Sequence, residues 1–341
     1  MKKLINLFLY VGFIVILLVA MSLYKSLFKP VKIGEKGIEI IVPLDAEFED
    51  VKEILRSNGL VVNEKSFDLL ARRKNYPENV KPGRYIISDD MSYNDIMNLL
   101  RSGSQTPVKV VFNNIRTLDE LAVRLSMQLA VDSTEILKFL LNESNYSSDG
   151  FTKETIMALF LPDTYEMYWT VTTEELYARM LKEYKVFWNN DRLNKARSYG
   201  LTPVEVSTLA SIVDDEVLME DEKPMIAGVY LNRLKIKMPL QACPTIKFAL
   251  NDFSIRRVLN EHLTVDSPYN TYMYRGLPPG PVRCATKSGI DAVLNAEDHD
   301  YLYFVARYDF SGYHHFSRTL NEHNTYANKY QAELDKKKIY N

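Results

Sequence analysis

The chain has 341 residues, of which 46% are hydrophobic and 25% charged, and a formal net charge of −2. That length suits two or three domains, and the near-neutral balance leaves no basic footprint for nucleic acid. With only 13 glycines, a collagen-like or low-complexity chain is excluded. The two cysteines, Cys243 and Cys284, form no C-x-x-C pair, and the five histidines form no H-E-x-x-H, which argues against a metal centre and offers no cofactor motif. The 22 tyrosines hint at carbohydrate contact, because a phenol offers an apolar face and a hydroxyl, although core packing accounts for most of them.

Lys2 and Lys3 precede an uncharged run over residues 4–24. About 20 apolar residues cross a bilayer core when helical. Ala20-Met21-Ser22 is a poor cleavage site and the run exceeds most signal cores, so residues 1–25 are expected to be an uncleaved single-pass anchor. Lys25, Lys29 and Lys32 compete with Lys2 and Lys3 in setting orientation. A long folded domain translocates regardless of such flanks. The expectation is a cytoplasmic N-terminus, with the bulk of the chain outside the cytoplasm at the cell (inner) membrane.

Residues 26–37 read as a polar, basic linker. Residues 38–42 read as a strand ended by Pro43, and 48–58 as a helix with Val51, Ile54 and Leu55 at helical spacing and Gly59 behind it. A short helix over 66–73, a turn and strand from Lys81 to Ile87, a helix over 93–102 capped by Ser92, and a strand over 108–112 follow. This α+β module, residues 38–112, gathers no catalytic residue types. Residues 113–341 read as a second, mixed α/β domain. Its predicted helices cover 117–128, 133–142 and 173–198, with Leu161-Pro162-Asp163-Thr164-Tyr165 as a turn. Further helices run from Thr202 through Asp215 and from Met225 to Leu234. The stretch 241–281, rich in Pro, Asn, Tyr and Thr, reads as mostly loop. An antiparallel strand pair, 301–306 with 314–317, and a helix over 321–336 complete the chain, which has no internal repeat.

Three acids, Asp214, Asp215 and Glu216, end an apolar helix. At about 100° per residue, Glu216 shares a face with Leu209, Ile212 and Val213, whereas Asp214 lies about 160° away. Glu216 is thus the inward acid, and Asp214 and Asp215 have less reason to be buried. A carboxyl in apolar surroundings has a raised pKa and serves as a general acid near neutral pH. Spacing alone also fits a solvated carboxylate at a helix end.

Further blocks stand in a fixed order. Lys81-Pro82-Gly83-Arg84-Tyr85, Leu161-Pro162-Asp163-Thr164-Tyr165 and Leu209-Ala210-Ser211-Ile212-Val213-x-x-Glu216 come first. Val229-Tyr230-Leu231-Asn232-Arg233-Leu234, Met238-x-Leu240-Gln241-x-x-Pro244-Thr245 and Tyr269-Asn270-Thr271-Tyr272 follow. Gly276-Leu277-Pro278-Pro279-Gly280, Tyr301-Leu302-Tyr303-Phe304-Val305 and His315-Phe316 complete the series. Together they resemble the endolytic murein transglycosylase family (YceG-like proteins) over essentially the whole chain.

The resemblance implies an α+β chain with one membrane span, a LysM-like module at 38–112 and a catalytic domain behind it. It implies cleavage of the β-1,4 bond from N-acetylmuramic acid to N-acetylglucosamine inside nascent peptidoglycan strands, leaving 1,6-anhydro ends. It needs no cofactor, and it suggests the peptidoglycan synthases of elongation or division as partners. The family's catalytic glutamate falls on Glu216. Asn232, Gln241, Thr245, Tyr269, Asn270 and Tyr272 are the candidate substrate-binding residues, with His315 and Asn324 behind them. The chain departs from the family's pattern at Cys243, where an Asp usually precedes Pro-Thr, and at Cys284. A disulfide between these two is one expectation, and two unrelated buried thiols the other. Two other functions stay open: a hydrolytic muramidase, which needs a second carboxylate, and a non-catalytic peptidoglycan-binding scaffold.

Overall fold

A computed structural model of the protein describes residues 2–28, 30–31, 37–61, 63–217 and 219–337. The architecture is mixed α+β behind an N-terminal apolar helix, and the chain divides into two compact units. The first takes residues 1–110, 128–131 and 165–171, and the second takes 111–127, 132–164 and 172–341.

Helix α1 (Lys2–Phe28) carries a window, Ile5–Ser22, with mean hydropathy 2.5 and no buried residue, long and apolar enough to cross a membrane. The helix does not stop where the linker was expected. Residues 26–28 continue it, and Leu27 packs with Val31 against the core of the first unit. The rest of the expected linker falls largely outside the described residues, at 29 and 32–36.

Strand β1 (Ile38–Val42), helices α2 (Phe48–Ser57) and α3 (Glu64–Arg73), and strand β2 (Gly83–Ile87) build the rest of this core with helix α4 (Tyr93–Ser102). β1 and β2 pair antiparallel with Ile40 opposite Tyr85. Alternation puts Ile40, Val42, Tyr85 and Ile87 inside, while Arg84 and Glu39 pair at 2.6 Å on the outer face. Ser92 and Asp95 form a reciprocal cap on α4, as the sequence predicts.

Strand β3 (Val108–Phe112) pairs with β4 (Asp163–Met167). β4 occupies the segment expected to be a turn: Pro162 only precedes the strand, and Tyr165 and Met167 point inward. Between them lie α5 (Leu118–Ser126) and α6 (Ser133–Leu141). The single helix expected over 173–198 is two, α7 (Thr173–Phe187) and α8 (Asn190–Ser198), because the Asn189 side chain accepts from the Arg192 N–H and starts a new helix.

The core of the second unit is built around α9 (Pro203–Glu216). Thr202 and Glu205 cap its start, Pro203 opens it, and all residues from Val206 to Val213 are buried. Against it pack α10 (Lys223–Lys235), α11 (Cys243–Ala249) and α12 (Lys287–Leu294). The stretch 241–281, expected to be mostly loop, also holds helix α11, which was not foreseen; Pro244 sits in its first turn, where a missing N–H costs nothing. Strands β5 (Tyr303–Ala306) and β6 (His314–Ser317) pair antiparallel, and α13 (Leu320–Lys336) follows.

Candidate active site

Helix α9 delivers three consecutive acids to its C-terminal end, and each meets a different partner. Asp214 is not the exposed acid expected from the helical wheel. Its side chain is 2% exposed, and Lys223, at 4%, reaches it at 2.7 Å. The Thr286 N–H and hydroxyl donate to the same carboxylate at 2.7 and 2.9 Å. The carboxylate lies so close to α12 that a Cβ at Gly289 would come within 2.4 Å of it. Asp215 receives two guanidinium groups on one oxygen, Arg116 at 2.6 Å and Arg283 at 3.0 Å. The wheel misleads because α9 is enclosed on every side, so facing away from Glu216 still means facing protein.

Glu216 keeps part of its surface open, and the described structure pairs it with no cation. Burial, followed by the charge of Asp215, pushes its carboxyl up to about 7. Three opposing influences favour the carboxylate: the Cys243 backbone N–H, the Tyr230 hydroxyl, which donates to Oε1 at 3.4 Å, and the charge of Lys247. Tyr230 is fully buried on α10, with its ring edge-on to Phe304. Burial drives its phenol well above the usual value, so it remains a donor.

The loop facing Glu216 is stitched from two segments. The Gln241 N–H donates to the Thr271 carbonyl at 3.0 Å, and the Ala242 N–H to the Thr271 hydroxyl at 3.0 Å. Thr245 Oγ1 lies 2.9 Å from that hydroxyl and donates to the Ala242 carbonyl at 2.7 Å. The Asn270 amide donates to the Leu263 and Val265 carbonyls, and its oxygen accepts from the Tyr272 N–H at 3.0 Å. These bonds place the Cys243 N–H at Glu216 and the Tyr272 hydroxyl 3.3 Å from Cys243 Sγ.

The expected substrate-contact residues therefore separate. Thr245 and Asn270 have no exposed surface and hold the loop. Asn232 donates to the His299 and Tyr301 carbonyls at 2.6 and 3.1 Å, tying α10 to the segment before β5. Gln241 is exposed at a left-handed φ of 50°. Tyr272 stands beside Cys243, and Tyr269 packs on Phe248 with ring centres 4.6 Å apart. His315 lies stacked between Tyr308 and Tyr326.

Of the two alternatives for the cysteines, the structure has no disulfide, and both are free. Cys284 is buried and donates to Met157 Sδ at 3.1 Å, whereas Cys243 turns to Tyr272. Among the described residues no three His, Cys, Asp or Glu side chains gather as a metal site. Sequence reasoning passed over Tyr230, Lys223, Arg116 and Arg283. Tyr230 had a signal: a tyrosine in an apolar helix must find its hydroxyl a partner.

Fold and site together define a class: a mixed α+β protein behind a membrane-compatible helix, with one protonatable carboxyl in an apolar enclosure. Residues 40–329 match the sequence profile of the YceG-like family, and the chain belongs to that family. The endolytic murein transglycosylase of Bacillus subtilis (strain 168) is 28% identical over 330 residues, covering 92% of this chain and 90% of that protein. The endolytic murein transglycosylase of Streptococcus pneumoniae (strain R6) is 29% identical over 308 residues, covering 80% of this chain and 55% of that longer one. A 2.6 Å crystal structure of a YceG-like protein from Listeria monocytogenes superposes with a TM-score of 0.59 at 29% identity, covering 85% of this chain and 98% of that one.

Proposed function

We propose that the protein is an endolytic lytic transglycosylase of peptidoglycan, with Glu216 as its single general acid and base. The observation that carries this is the division of labour at the end of α9. Asp214 and Asp215 are held by Lys223, Arg116 and Arg283, while Glu216 titrates at about 7. A carboxyl near that value is half-loaded with its proton at neutral pH, which suits an acid that must later serve as a base.

Protonated Glu216 gives its proton to the oxygen linking N-acetylmuramic acid to N-acetylglucosamine, and the C1–O bond breaks. The carboxylate so formed takes the proton of the muramic acid C6 hydroxyl as that oxygen bonds to C1. The product is a 1,6-anhydro end; no water is consumed, and the glutamate ends protonated as it began. A hydrolase would need a second carboxylate about 5–9 Å away and free to act. Tying the neighbouring acids to cations supports the one-carboxyl route. Gln241, Tyr269 and Tyr272 are the proposed substrate contacts, with Asn232, Thr245 and Asn270 positioning the loop.

The β1-α2-α3-β2 order of the first unit supports a LysM-like module over 38–112, with the catalytic domain at 113–341. The window Ile5–Ser22 supports a single-pass anchor; the proposed orientation puts the N-terminus in the cytoplasm and the remainder facing the wall. Synthases of elongation or division are the proposed partners. The deciding experiment digests purified sacculi with wild-type and Glu216→Gln protein and weighs the products. Anhydro ends from the wild type alone are expected. Reducing ends would mark a hydrolase, and no digestion by either protein, with Glu216→Gln fully functional in cells, would mark a scaffold.

A further inference from the structure

A cavity of about 310 Å³ opens in the second unit, lined by the rings of Phe248 and Tyr269 and by Arg116, Asn251 and the Lys153–Glu154 pair. The volume lies at the small end of ligand sites, with room for one hexosamine ring and its acetamido group rather than a disaccharide. Its cations are already matched: Lys153 with Glu154 at 3.7 Å, and Arg116 with Asp215 at 2.6 Å. Asp119 adds one exposed carboxylate. No unmatched cation is left to draw an anion. What remains are two tilted aromatic faces for the C–H side of a ring and planar donors and acceptors for hydroxyls and an amide.

The cavity is tied to the acid from two directions. The guanidinium of Arg116 that lines it also holds Asp215, the residue before Glu216. Phe248 follows Lys247 on α11, whose charge acts on Glu216.

We propose that this cavity is a subsite for one N-acetylhexosamine of the glycan strand, lying away from the bond to be cut; this rests on the transglycosylase reading above. Such a subsite makes affinity grow with strand length. It also disfavours bonds near one end of the strand, which leave no sugar to fill the cavity.

The test measures binding, which needs no turnover. Glu216→Gln protein is titrated calorimetrically with peptide-free oligomers of alternating N-acetylglucosamine and N-acetylmuramic acid, from two sugars to eight. A gain in affinity of about tenfold is expected once the oligomer reaches the cavity. Adding Phe248→Ala should abolish that gain and leave the affinity for the shortest oligomer unchanged. Leu141→Trp, at a cavity-lining position that is 62% exposed, fills the space without touching the core and should do the same. Melting curves check that each variant is folded. Retention of the length-dependent gain by the folded variants overturns the subsite. So does a loss seen only with oligomers that carry stem peptides, which would assign the cavity to peptide. Failure of Glu216→Gln to bind any oligomer removes the underlying reading, and the subsite with it.

Discussion

Asp214, Asp215 and Glu216 share a helix end and an apolar setting, and what separates them is which cations reach them. For Glu216 the consequence is a pH dependence of definite sign. As the proposed general acid it must be protonated, so kcat/KM is expected to fall about tenfold per pH unit above about 7. Tyr230 favours the carboxylate, so Tyr230→Phe should move that limb to higher pH and lower kcat with little change in KM; an unmoved profile would relegate Tyr230 to packing. Stability runs with the same proton. The folded carboxyl holds it to about 7 and the unfolded chain releases it near 4.5, so stability falls as pH rises between those values and then levels off. Glu216→Gln should therefore be more stable than wild type at pH 8, by roughly 2 kcal/mol given the part of Glu216 that faces solvent, and equal to it at pH 4. Urea unfolding at the two pH values measures this. Asp214→Asn strips a buried lysine of its main partner and should cost about 3 kcal/mol, the low end for a broken buried pair because Glu220 remains 2.7 Å from Lys223. Lys223→Met added to it should restore part of the loss.

At the scale of elements, the approach of α12 to α9 is set by a residue with no side chain. Gly289→Ala drives a methyl against the Asp214 carboxylate, which Lys223 and Thr286 hold in place. A loss of about 2 kcal/mol and a lower melting temperature are expected. Local rules were legible here. The cap read at Ser92 begins α4, and the segment read as a strand at 38–42 is β1. What escaped depends on distant partners. β4 is a strand because β3 lies beside it, and its proline and aspartate alone read as a turn. Helix α11 is too short for periodicity to show, and helical spacing on either side of the Asn189 cap reads as one helix although the polar run Asn189-Asn190-Asp191-Arg192 separates the two. The site divides in the same way. Glu216 stood out in an ordered motif, whereas the cations that set it apart come from the start of α5, the start of α10 and the approach to α12. No spacing rule links them.

For the whole molecule, the two compact units carry different chemistry. The first presents a small β-α-α-β core behind the apolar helix, and the second holds every residue placed around Glu216. Removal of residues 1–24 should release the protein from the membrane fraction while leaving Leu27 in its packing place. Removal through Phe28 should in addition lower the melting temperature, because Leu27 covers part of that core. Fractionation and calorimetry of the two truncations distinguish anchoring from packing.

Helix α1 has a mechanical consequence as well. It runs unbroken from Ser22, the last residue of the apolar window, to Phe28, and Leu27 is already gripped by the first unit. With the window seated in a bilayer, about 8 Å of continuous helix would separate it from Leu27. A link that short would hold the first unit close to the bilayer surface.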